Sequence, residues 1–76
     1  MKSSLSPEFA EVLAVSAKGA ARMLGVSERH LWALNSSGRL PRPVNLGRSV
    51  RWPVEELRAW LAAGSPERGK WETTRN

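Results

Sequence analysis

The sequence predicts a small α+β domain, mainly α, in which two short helices lead into a basic β-hairpin and a closing helix. Three observations carry this. Apolar residues recur at helical spacing in two runs separated by Gly25-Val26-Ser27. Val44 and Leu46, then Val50 and Trp52, alternate with polar residues around a Gly-containing turn. Pro53 then opens a run in which Val54, Leu57, Trp60 and Leu61 return to helical spacing.

With 76 residues there is room for one such domain and no second. A core this small is marginal. The chain has no cysteine and a single histidine, His30, so neither a disulfide nor a metal staple is expected. No cofactor is expected either. Stability must come from packing, and four tryptophans fit that need. No apolar stretch is long enough to span a bilayer, and Lys2 is followed by no apolar signal region. No membrane association is expected, and a cytoplasmic protein is the default expectation.

The elements follow in order. Ser6-Pro7-Glu8 reads as a helix start that would put Phe9, Val12 and Leu13 on one face, while Val12 to Val15 also reads as a short strand. We expect the strand near Leu13 and the helix in the residues before it. Ser16 is a good N-cap, and Ala17, Ala20, Ala21 and Leu24 form one helical face whose small residues let a neighbour approach. Gly25 ends this helix, Val26 is a buried hinge and Ser27 caps the next helix. Leu31 and Leu34 form its core face, and Gly38 stops it after about Ser36. Leu40-Pro41-Arg42-Pro43 must be extended. Across Gly47-Arg48-Ser49 the two strands form a hairpin expected to be apolar on one face and basic on the other. Glu55 and Glu56 suit the first turn of the closing helix, and Gly64 ends it. The expected organisation is a flexible segment over 1–12, a folded domain over 13–63 and a disordered basic tail over 64–76, in which Trp71 is able to dock.

The charge pattern bears on function. Lys and Arg number 12 against 7 acids, for a net charge of +5. Arginine dominates the cations, and its planar fork suits phosphates and guanine edges. Helix pairs joined by so short a turn include the helix-turn-helix, whose second helix enters the major groove by its N-terminal turn. Arg29, Ala33 and Ser36 lie opposite Leu31 and Leu34, with His30 and Trp32 on the flanks. Glu28, Arg29 and His30 are therefore placed to reach bases, and Ser27 with the helix N-terminus to meet a phosphate. A plain helix hairpin with a solvated outer face is the competing reading. In the hairpin, Arg48 and Arg51 point outward with Asn45 alongside and Arg42 just before, a set that suits a minor groove or a phosphate backbone. A charged edge that blocks aggregation would not need cations alone. Lys18 and Arg22, four apart on the first helix, and Arg39 are candidates for the DNA backbone. Trp52 and Trp60 are expected in the core; Trp32 either packs beneath the hairpin or leans on a phosphate. Catalysis has little support, because the chain lacks Asp and Cys and His30 has no evident partner beyond Glu28. No enzyme is expected.

These residues resemble a known family. Ala17 to Ser27, then Leu31-Trp32, Ser37 to Val44, Leu46-Gly47-Arg48, Val50-Arg51-Trp52 and Glu56 to Leu61 are similar to MerR-like winged helix-turn-helix domains. The pattern is that of phage-type excisionases and AlpA-like prophage regulators, and it covers Leu13 to Ala63. The resemblance implies a winged helix-turn-helix over 13–63, with the second helix in the major groove and the wing on the adjacent minor groove or backbone. It implies double-stranded DNA as partner, self-association in multiple copies on that DNA and a site-specific integrase directed toward excision. A bacterial or phage, nucleoid-associated setting goes with it. Gly19 departs from the pattern, which has an acid there. Ser16 thereby loses a capping-box partner and the first helix is expected to loosen. Three functions compete: an excisionase, a transcriptional regulator, and a module binding an acidic protein partner. The small size favours the first.

Overall fold

The computed structural model describes residues 12–74. The expected helix start at Ser6-Pro7-Glu8, Phe9 and most of the flexible 1–12 segment lie outside the described residues. Strand β1 is Ala14–Val15, α1 is Ala17–Leu24, α2 is Glu28–Ser36, β2 is Val44–Leu46, β3 is Ser49–Pro53, α3 is Val54–Ala62 and α4 is Arg68–Thr74. The strands form one antiparallel sheet in the order β1-β3-β2. The architecture is a small winged helix-turn-helix, as the sequence predicts.

Local chemistry sets each helix end. Ser16 Oγ accepts from the Gly19 N–H at 3.2 Å and Ser27 Oγ from the His30 N–H at 3.0 Å, so both serines cap as expected. Gly25 takes a left-handed backbone with φ 74°. Its N–H donates to Arg22 O and that of Val26 to Ala21 O, the double bond pattern that closes a helix and turns the chain sharply. The same pattern of N–H donation closes α2, from Gly38 to Asn35 O and Arg39 to Leu34 O, and closes α3, from Gly64 to Leu61 O and Ser65 to Trp60 O. Pro53 precedes α3 as its N-cap instead of opening it, because it still belongs to β3.

The core gathers Ala17, Ala20, Ala21, Leu31, Leu40, Trp52, Leu57, Trp60 and Trp71. The alanines of α1 pass beneath α2 and β3 as their spacing requires. Val26 is only partly buried. Leu61, one of the four apolar residues at helical spacing in α3, is not inside with the others but 54% exposed. Gly19 does more than the departure from the family pattern suggests. A Cβ there would stand 3.0 Å from Val15 Cβ, so the glycine admits β1 close against α1.

Two further expectations are corrected. The first concerns the hairpin faces. Val44 pairs with Arg51, Asn45 with Val50 and Leu46 with Ser49. Directly paired residues share a face of the sheet. Val44 and Leu46 therefore lie on the face of Ser49 and Arg51, while Val50 and Trp52 face the core. The cause is the turn. Gly47, at φ 66°, and Arg48 form a two-residue loop with glycine first, the type II′ pattern. The three-residue loop Gly47-Arg48-Ser49 would have put all four apolar residues together. One residue of slip moves a strand's whole set to the other face. Asn45 and Arg51, expected side by side, sit on opposite faces.

The second correction concerns the tail. Residues 68–74 are helical, and Trp71 is buried at 6% exposure. Gly64 and Ser65 both take left-handed backbone, at φ 93° and 56°, and reverse the chain after α3. Trp60 Nε1 then donates to Pro66 O at 2.8 Å and Trp71 Nε1 to Glu56 Oε2 at 3.0 Å. A buried indole with a satisfied N–H holds a segment that its polar composition alone would leave loose.

Candidate nucleic-acid interface

Helix α2 follows α1 after Gly25-Val26-Ser27 and turns its Leu31 side inward, with Leu31 fully buried. The opposite side is open. Ser27, Glu28, Arg29, His30, Ala33 and Ser36 are all exposed. The first turn carries Arg29 and His30, and Ser27 Oγ is engaged by the His30 N–H. The remaining N–H groups at that end give it the partial positive charge of a helix start.

The wing stands beside this helix. Trp32 on α2 and Trp52 on β3 meet edge to face, with centroids 5.5 Å apart at 68°. Trp32 thus packs against the wing, and 40% of it remains exposed. Trp52 is fully buried, and its Nε1 donates to Pro41 O at 3.0 Å, which fixes the connector from α2 to β2.

The candidate cations fall into groups. Arg48 is exposed in the wing turn. Arg51 is half-buried, and its Nη1 donates to Val50 O at 2.9 Å. Arg42 is exposed at the wing root, where its Nε lies 3.1 Å from Glu72 Oε2. Asn45 is exposed on the core-side face of the wing. Lys18 and Arg22 are exposed on α1. Arg39 does not join the first turn of α2. It follows the far end of that helix, in a groove with Leu24, Leu34, Trp60, Leu61 and Glu67. Arg29 lies seven residues before the end of that helix at Ser36, a rise of about 10 Å.

Sequence reasoning missed Arg68 and Glu72, which hold α4 to the elements just described. A signal was present. The Ser-Pro-Glu start read as helix-opening at 6–8 recurs at Ser65-Pro66-Glu67. Arg68, Trp71 and Glu72 follow at i, i+3 and i+4 on one face. Among the described residues, no helix is long and apolar enough to cross a membrane, and no cluster of His, Cys, Asp or Glu could hold a metal ion.

Two helices joined by a sharp glycine turn, the second presented beside a two-stranded wing, define a winged helix-turn-helix protein, a class built to bind duplex DNA. Residues 14–65 match the helix-turn-helix domain family, and the chain belongs to it. No curated protein matches the chain significantly.

Proposed function

We propose that this protein is an excisionase, a recombination directionality factor that binds and bends attachment-site DNA and turns a site-specific integrase toward excision. The observation that supports its DNA-binding part is that two exposed projections stand side by side. The exposed first turn of α2, with Arg29 and His30, stands beside a wing tipped by Arg48, and the two are joined through Trp32 and Trp52. Glu28, Arg29, His30, Trp32, Ala33 and Ser36 form the major-groove face, with Ser27 on a phosphate. Arg42, Asn45, Arg48 and Arg51 serve the wing; Lys18, Arg22 and Arg39 serve the backbone. Phosphate contacts set register and base contacts set sequence.

One copy of so small a module reads few base pairs. Several copies on adjacent sites gain specificity without new base contacts, and they bend the duplex as a recombinase requires. Residues 68–74 pack on the protein's own core through the buried Trp71.

An in vitro excision reaction with the integrase, run with and without the protein, tests the proposal. Stimulated excision supports it. Tight, sequence-specific binding with no effect on excision would make the protein a transcriptional regulator using the same surface.

A further inference from the structure

Helix α4 lies beyond the matched helix-turn-helix domain, which ends at residue 65. It nevertheless reaches both of the elements proposed to touch DNA, and Arg68 makes most of the connection. Its Nη2 donates to Asn35 Oδ1 at 2.8 Å and to Asn35 O at 3.2 Å, in the last turn of α2. Its Nε donates to Leu40 O at 2.9 Å, and its backbone N–H to Gly38 O at 2.9 Å. Gly38 and Leu40 belong to the connector from α2 to β2. One turn further along, Glu72 accepts from Arg42 at the wing root. Trp71 anchors the same helix on α3 through Glu56.

We propose that Arg68 is a positioning residue for DNA reading, whose guanidinium fixes the wing relative to α2. The connector residues between Ser36 and Val44 belong to no helix or strand. Its path decides where the wing stands. A planar guanidinium presents donors in a rigid fork, so one side chain holds the end of the helix and the start of the connector at a set distance. Arg68 is half-buried, and its Nε and Nη2 donors are used inside the protein. Its contribution is therefore geometric. A duplex presents its grooves at fixed separation. A wing already in place binds without the entropy cost of ordering it. This inference rests on the proposal that α2 and the wing read one duplex together.

The test uses the full chain and a duplex that it selects from a random pool, with a scrambled duplex for comparison. Arg68→Lys keeps the charge and loses the fork. Its preference for the selected duplex should fall about tenfold, while the salt dependence on the scrambled duplex stays as in the parent chain. The Arg29→Ala and Arg48→Ala changes, made singly and together, should show energetic coupling in the parent and lose it beside Arg68→Lys. Where Arg68→Lys melts too readily, Asn35→Ala removes the 2.8 Å bond from the other side and leaves the bond to Leu40, so the same loss at smaller size is expected. If both variants stay folded and keep the full preference and the coupling, Arg68 does not position the wing. A parent chain that selects no duplex overturns the DNA-reading proposal together with this one.

Discussion

Trp32 on the second helix and Trp52 on the central strand meet edge to face at 5.5 Å, and this contact joins the exposed helix to the wing. The two rings are not equivalent. Trp52 is fully buried, whereas Trp32 is 40% exposed. Truncating Trp52 to alanine removes a core side chain, and such changes cost about 3–5 kcal/mol. In a domain this small that is a large part of the total stability. Trp32→Ala should cost about 1–2 kcal/mol, chiefly the aromatic pair and part of its buried area. Denaturant unfolding compares them. Equal losses would mean that the edge-to-face contact matters more than burial.

The salt response tests the cationic surface. If Lys18, Arg22, Arg39, Arg42, Arg48 and Arg51 meet phosphates, raising salt from about 50 to 200 mM should weaken duplex binding roughly a thousandfold by counterion release. Glu72→Gln leaves Arg42 without its 3.1 Å carboxylate. It should tighten binding and steepen the dependence of log affinity on log salt, by about one unit at most. Titrations at several salt concentrations give both numbers. A flat response in the parent chain would remove the phosphate contacts from the mechanism.

Helix and wing should divide the labour. Arg29→Ala is expected to lower the ratio of specific to random binding by about tenfold or more, because base contacts carry sequence. Arg48→Ala should weaken both duplexes to a similar degree. Competition binding reads the ratio directly. An unchanged ratio in Arg29→Ala would take base reading away from the first turn of α2.

The hairpin register has its own check. Leu46 is 60% exposed and faces away from the core. Leu46→Lys should therefore change stability by no more than about 0.5 kcal/mol, as a surface substitution does. Val50→Lys, on the core-side face, should cost several times as much. Equal costs in urea unfolding would contradict the two-residue turn.

Trp71 tests the docked tail. Trp71→Ala, or truncation after Gly64, should lower stability by about 3 kcal/mol through loss of a buried indole. A loss of cooperativity between copies on DNA, with stability untouched, is the opposite result and would make the tail a free contact arm.

What the sequence by itself determined was local. Ser16 and Ser27 as caps, Gly25 as the turn and the alanine face of α1 rest on interactions within four or five residues, so their signals are complete in the chain. The exposed cations of α2 follow from helical spacing once Leu31 is inside. Tertiary structure decided between alternatives that the local pattern left open. A choice between a two- and a three-residue turn, differing by one residue, sent Val44 and Leu46 to the outer face and separated Asn45 from Arg51. Trp71 and Arg68 found partners 15 to 33 residues away, in Glu56, Leu40 and Asn35. A short polar helix is marginal on its own, and docking supplies the burial that stabilises it. Its structure is therefore a property of the folded protein, not of the segment.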